Sequence, residues 1–436
     1  MNHHQNIEQT SSNIKIVVLI IASELIFPWI EIFGFRVKSL LLFALLAVLF
    51  MNISITTKNL KSLIKSPAIF NIIIIYLIIS VLLTNIYNGY GGLDVIRFFS
   101  FTLPAFLFIF YIRDKHSLEQ VLFWVLLFLL FNTVFEVIQI IGGEKFIPYK
   151  HMPDFLIAKI GKSFSFYERK RMPGLSLNGL SLGYIFVIFL PLVTAFINYY
   201  FSRSIIKYIL ITFLFIGVLM TYTRTAIFFS IGASLIIIFL YNRSSKVILT
   251  LSVPLILWLL MSVFSQTADV NATRFSKEGF IHNLKNRIGL ALYGIEIGKS
   301  RNFWLGNKKI EIADPIFHEK FANFKAYHIP FLGKTRPVTI DLPHNIIADT
   351  LIKYGFTFLI GFVLLMVYLL NILRKLLLRP SSDLRYISLA MVFCFFNFIA
   401  NGLFHNVCIT TDFNFWILVG LLMATYVIDS EAQSKT

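Results

Sequence analysis

Long apolar runs broken by short clusters of charge dominate the chain. A membrane-crossing helix needs about 20 apolar residues. On that scale the sequence predicts about twelve spans, at 14–33, 37–53, 67–86, 93–112, 118–141, 177–200, 205–222, 224–241, 246–265, 344–372, 385–404 and 409–428. Two connections are long, 142–176 and 266–343, and the second falls between the ninth and tenth spans. The tail 429–436 (DSEAQSKT) is polar and reads as disordered. The pattern therefore predicts an all-α polytopic membrane protein, with 1–436 forming one integral membrane domain.

Composition agrees and narrows the class. The chain is 57% hydrophobic and 14% charged, with 47 Phe, whereas soluble domains lie near ~45–50% and ~25%. The polar start (MNHHQNIEQTSSN) lacks the basic region and cleavage site of a signal peptide, so the first run reads as a retained anchor. Cys394 and Cys408 lie in or beside apolar runs and offer neither a disulfide framework nor a zinc site.

The net charge of +17 would point to nucleic acid in a soluble protein, but here its distribution sets topology. With a cytoplasmic N-terminus, the short inside loops hold Lys58, Lys61, Lys65, Arg113, Lys115, Arg203, Lys207, Arg243, Lys246, Arg374, Lys375, Arg379 and Arg385 against Asp114 and Asp383. That obeys the positive-inside rule. Both long connections then lie outside. They carry seven basic against three acidic residues in 142–176 and twelve against seven in 266–343. Long loops translocate largely regardless of charge, so this excess calls for an anionic partner at the outer leaflet, membrane lipids included.

Four polar segments fall on that outer side. In RKRMPGLSLNGLSLG (169–183), Arg171 and Asn178 flank a glycine turn that opens a span, a setting that suits phosphate. It also reads as a basic interfacial anchor. In TYTRTAIF (221–228), Arg224 lies between two apolar runs with almost no loop; an Arg at membrane depth is paired or functional, and a tight turn can instead leave it in water. In NRIGLALYGIEIGKSRNFWLGN (286–307), Arg287 heads a run with Ile288, Leu292 and Ile295 at helical spacing, and WLG marks a turn. Its plainer reading is a solvated charge on an amphipathic element. In DLPHNIIADTLIKYG (341–355), Asp341 can cap and Pro343 suits a first turn, which puts His344 and Asn345 in the first helical turn. The helix dipole there disfavours imidazolium, and a neutral imidazole can take a hydroxyl proton. A polar residue at a wet helix start is the plainer view. Asp349 and Lys353 form a favourable i,i+4 pair.

At RMPGLSLNGLSLG, TYTRTA, RIGLALYGIEIGKSRNFWLG and HNIIADTLIKYGFTFLIG, in that order, the sequence resembles the O-antigen ligase/polymerase superfamily of bacterial surface-polysaccharide enzymes. The resemblance implies a GT-C-like helical fold with a large periplasmic loop. It also implies a metal-independent, cofactor-free glycosyltransferase of the bacterial inner membrane whose site faces the periplasm. Its donor is then a glycan on undecaprenyl diphosphate, with a chain-length regulator and a flippase as partners and no nucleic acid. By that likeness Arg224 and Arg287, and more weakly Arg171, contact the diphosphate. His344 becomes the base, supported by Asn345 and Asn178. The chain departs in one respect from polymerases, whose paired Arg-to-Gly loop motifs share a spacing: Arg171–Gly183 and Arg287–Gly306 do not.

The chemistry is coherent with those residue types. A departing diphosphate needs cationic stabilisation, and guanidinium forks supply it without a metal. The outer loops contain no Asp-x-Asp motif. A polymerase is the favoured reading. A ligase, which passes the finished chain to lipid A core, is the second. A lipid-glycan flippase is the third, with Glu24, Glu136, His405 and Asp412 as its inner polar groups.

Overall fold

The computed structural model describes residues 2–28, 30–32, 35–36, 41, 68–89, 92–147, 172–176, 179–201, 205–241, 302–306, 345–378, 384–405 and 409–434, with short pieces at 288, 291–292, 294–295 and 298–299. Helices make up nearly all of this. Helix α1 (Asn2–Leu25) leads into a two-residue hairpin, β1 (Glu31–Ile32) with β2 (Phe35–Arg36). Then come α2 (Ala68–Tyr87), α3 (Leu93–Tyr111), α4 (Lys115–Gly142), α5 (Gly179–Tyr200), α6 (Ile206–Met220), α7 (Arg224–Ala226), a π turn (Ile227–Ile231) and α8 (Gly232–Tyr241). The last three are α9 (Ile346–Leu378), α10 (Arg385–Gly402) and α11 (Phe413–Gln433). Among the described residues, eight helices are long and apolar enough to cross a membrane, and α6 is a shorter apolar helix.

The helices differ from the sequence expectation in specific ways. The first span, expected over 14–33, stops at Leu25. Pro28 has no N–H to continue the ladder, and the chain turns into the hairpin instead. The span at 224–241 is not one regular helix but α7, the π turn and α8. α9 runs on to Leu378 and breaks at Gly355. α11 is helical through Gln433, so the tail expected to be disordered is ordered to that point. The expected spans 37–53 and 246–265 lie outside the described residues, apart from Leu41.

Inward-facing apolar side chains make the core, with Phe98, Phe108, Phe186, Phe189, Phe196 and Trp416 fully buried. Lipid-like exposure remains elsewhere: Val363, Leu364 and Val367 of α9 are open. Helices α2 to α7 alternate in direction, as do α9 to α11, and their cross-links fix which ends share a face. On one face the end of α1 meets α4, where Asn132 Nδ2 donates to the Leu25 carbonyl at 2.9 Å. On the opposite face the start of α4 meets the end of α5 and the start of α10. There Lys115 Nζ lies 3.1 Å from Tyr199 Oη, and the Tyr199 and Tyr386 rings stack at 4.0 Å. The first of these, where α5, α7, α9 and α11 all begin, is the site face.

The π turn shows how the bundle satisfies irregular backbone at depth. Widening the helix frees carbonyls, which hydrocarbon cannot solvate. Asn397 of α10 reaches across, and its Nδ2 donates to Phe229 O at 3.1 Å and to Val187 O of α5 at 3.0 Å. Ser230 donates its hydroxyl back to the Ala226 carbonyl.

Candidate functional site

The RMPGLS segment is clamped onto α4. Gly174, at φ +55°, receives both ends of one amide: its N–H donates to Gln139 Oε1 at 3.0 Å, and Gln139 Nε2 donates to its carbonyl at 2.7 Å. Leu175 N donates to Asn132 Oδ1 at 3.0 Å. Asn132 and Gln139 are seven residues apart on a helix that is otherwise largely apolar, so both fall on one side of it. A polar pair at that spacing is a signal visible in the sequence, but it lies outside the four segments that carry charge. Arg171 and Asn178 lie outside the described residues.

The TYTRTA turn packs against the start of α5. Met172 N donates to Met220 O at 3.3 Å, and Thr223 Oγ1 donates to Gly179 O at 3.3 Å. A Cβ on Gly183 would lie 2.9 Å from Thr223 Cβ, so the glycine admits the turn. Tyr222 takes φ +46°, a conformation rare for an aromatic residue. Arg224 opens α7, half-buried, in the first turn of the helix. Beside it Thr225 Oγ1 lies 2.8 Å from His405 Nε2.

The NFWLG segment is wedged into α9 at Gly355. Gly306 (φ +67°) and Gly355 (φ +75°, ψ −175°) face each other. A Cβ on Gly306 would sit 2.4 Å from Gly355 N, and one on Gly355 would sit 2.3 Å from Trp304 O. Both positions therefore require glycine, for conformation and for space. The broken ladder of α9 is repaired from the wedge: Phe356 N donates to Phe303 O at 2.7 Å, and Thr357 N and Oγ1 donate to Trp304 O at 3.2 and 2.8 Å. α2 completes the junction. Thr84 Oγ1 donates to Leu305 O at 2.8 Å, and Asn88 Nδ2 to Gly306 O at 3.2 Å. The described positions between 288 and 299 are helical, with Ile288 and Leu292 exposed. A Cβ on Gly298 would meet Leu351, so this stretch too lies against α9. Arg287 lies outside the described residues.

The HN segment leads into α9, whose first residue, Ile346, lies two positions after the expected start at 344. Asn345 is the cap rather than a first-turn residue: its Oδ1 accepts from Ile347 N at 3.0 Å and from Ala348 N at 3.1 Å. An Asn side chain satisfies two orphan N–H groups there, so the cap proposed for Asp341 is not needed. Asn345 Nδ2 donates in turn to Leu403 O at 3.2 Å. The expected pair forms, Lys353 Nζ to Asp349 Oδ2 at 2.8 Å, with Asp349 2% exposed. His344 lies outside the described residues. Asn345→Ala should cost about 1 kcal/mol of stability, read as a lowered unfolding midpoint in detergent. Asn345→Ser keeps a capping oxygen and should recover part of it.

Of the inner polar groups, three lie at the site face. His405 contacts Thr225, Tyr184 donates its hydroxyl to Asp412, and Asn414 Nδ2 donates to Glu24 Oε1 at 3.3 Å. Glu136 is fully buried on α4, its carboxyl oxygens without a hydrogen-bond partner among the described residues.

Of the six residues singled out from sequence, Arg224 and Asn345 are thus described, and both stand at helix starts on the site face. Sequence reasoning missed Thr225 as a contact residue, the role of the α10–α11 connection, and the wedge. No local signal marks the first two, since each bond spans a large separation in the chain. Residues 208–366 match the family model described as Wzy_C, O-antigen ligase. The matched stretch holds the TYTRTA turn, the second long connection, the wedge and the HN helix start, and it supports the O-antigen polymerase/ligase superfamily. No curated protein matches the chain.

Proposed function

From an O-antigen ligase domain match over 208–366 on a multi-pass helical chain, we propose that this protein is an O-antigen polymerase. It joins oligosaccharide repeats carried on undecaprenyl diphosphate at the periplasmic face of the inner membrane. Arg224 and Arg287, with Arg171 more weakly, hold the donor diphosphate. His344 takes the proton of the acceptor hydroxyl as its oxygen attacks the donor anomeric carbon. The bond from that carbon to the diphosphate oxygen breaks, and the arginines stabilise the charge that collects there. Arg suits the task because it cannot shed its charge and presents a planar fork.

The observation that carries this reading is that the helix starts bearing Arg224 and Asn345, 121 positions apart in the numbering, are tied to one short segment. Thr225 contacts His405, and Asn345 contacts Leu403. A cationic helix start and the residue following His344 are thereby brought to one neighbourhood.

The preference for polymerase rests on the Phe- and Ile-rich composition. The description of the matched family favours a second reading, ligase. Lipopolysaccharide gels of a deletion strain separate the two. A polymerase loss should leave core plus a single repeat. A ligase loss should leave core alone, with polymer accumulating on the lipid carrier. A wild-type ladder would overturn both.

A further inference from the structure

The connection between α10 and α11 binds three of the helix starts at the site face and one helix interior. The Leu403 carbonyl accepts from Asn345 at the start of α9. His405 Nε2 lies 2.8 Å from Thr225 Oγ1 at the start of α7. Thr410 Oγ1 lies 2.8 Å from Tyr354 Oη, beside the break in α9. Asp412 caps α11, accepting from Phe415 N at 3.0 Å, and takes the Tyr184 hydroxyl of α5. At Gly402 the helix ends against Ile346, where a Cβ would lie 3.2 Å from Ile346 Cβ.

The α7 contact differs from the others in what it supports. α7 is only three residues long before the helix widens into the π turn. Its N-cap, Thr223, makes no side-chain cap bond to the helix. The residue before that, Tyr222, sits at positive φ. Side chains hold this turn instead: Thr223 Oγ1 donates to the Gly179 and Thr221 carbonyls at 3.3 and 3.2 Å, and Thr225 meets His405. A side-chain bond from outside therefore has large leverage on it. Thr225 adjoins Arg224, so a bond that holds Thr225 also sets the guanidinium's base.

We propose that His405 is a positioning residue for Arg224, acting through Thr225 to fix the helix start on which the guanidinium stands. This rests on the reading of Arg224 as a diphosphate contact. His405 does not touch substrate in this account. Its work is done when the site is formed.

The test measures binding of undecaprenyl diphosphate, without sugars, to the purified full chain in detergent, with unfolding midpoints alongside. One hydrogen bond corresponds to roughly three- to tenfold in affinity, so His405→Ala and Thr225→Val should each weaken binding by that factor. His405→Gln, whose terminal amide takes the place of Nε2, should bind within about twofold of the parent. Arg224→Ala should cost at least about tenfold, and adding His405→Ala to it should cost little more, because both changes act on one interaction. Wild-type affinity in His405→Ala overturns the proposal. So does full additivity in the double variant, or a His405→Gln protein no better than His405→Ala. If His405→Ala does not fold, Thr225→Val against Thr225→Ser makes the same comparison, with the serine expected to retain binding. If Arg224→Ala itself binds normally, the diphosphate reading of that arginine falls with the proposal. If only the His405 variants bind normally, that reading stands and the proposal alone fails.

Discussion

Replacing His344 by alanine is expected to abolish chain extension while leaving the protein folded and the lipid-linked donor bound. Removing a general base lowers turnover by about 10²–10⁴-fold, enough to erase a ladder on a gel. The expectation combines two things. His344 directly precedes Asn345 in the chain, and Asn345 caps α9 on the site face with two backbone bonds and a tie to Leu403. The acceptor hydroxyl must lose a proton, and imidazole is the side chain best matched to that transfer near neutral pH. The measurement is elongation of lipid-linked repeats by the purified variant with no energy source, alongside donor binding. Normal chain growth by His344→Ala would remove the residue from the mechanism. Elongation by the parent under the same conditions would also exclude a flippase, which moves substrate without lengthening it.

Replacing Gly355 by alanine is expected to be the most damaging single change to the fold. The residue occupies φ +75°, ψ −175°, a region essentially confined to glycine. The added Cβ would sit 2.3 Å from the Trp304 carbonyl oxygen, a backbone atom held by Thr357. Backbone strain of about 1–3 kcal/mol and overpacking of about 1–3 kcal/mol act together. Their sum is a large share of a typical net stability of about 5–15 kcal/mol. The protein should accumulate poorly, and what can be purified should unfold at a clearly lower temperature. Gly92→Ala is the matched control: nothing lies within 4 Å of its Cβ position, and its φ is ordinary, so it should behave as the parent. An unchanged midpoint for Gly355→Ala would mean that the wedge and α9 can part without cost.

Much of the helical architecture was legible from apolar run lengths, because hydrocarbon thickness sets a length that sequence must meet. The spans at 67–86, 93–112, 118–141, 177–200 and 385–404 agree with α2, α3, α4, α5 and α10 to within a few residues. The Asp349–Lys353 pair was legible too, since i,i+4 neighbours need only helix geometry. What escaped is everything that depends on a distant partner. Gly355 sits in an apolar run that reads as unbroken helix, and the break exists because Phe303 and Trp304 supply the missing acceptors. His405 and Thr225 are 180 residues apart, and neither stands in a pattern that names the other. Of the site itself, sequence could nominate helix starts and their charges. It could not say which start faces which, because side-chain hydrogen bonds settle that only after the bundle assembles.

The π turn carries one more consequence. Each residue of an α-helix advances about 100° around the axis, so a turn holding one extra residue shifts the phase between the helix on its N-terminal side and the helix on its C-terminal side. Arg224 stands before Ile227–Ile231, and the exposed Ile236, Phe239 and Leu240 stand after it. The π turn therefore sets a fixed offset between the azimuth of the guanidinium and the face that α8 shows to its surroundings. With that offset, Ala233, Ser234 and Ile237 of α8 pack inward, where Thr194 Oγ1 donates to Ser234 Oγ at 3.1 Å, while the helix start at Arg224 stands beside the α10–α11 connection.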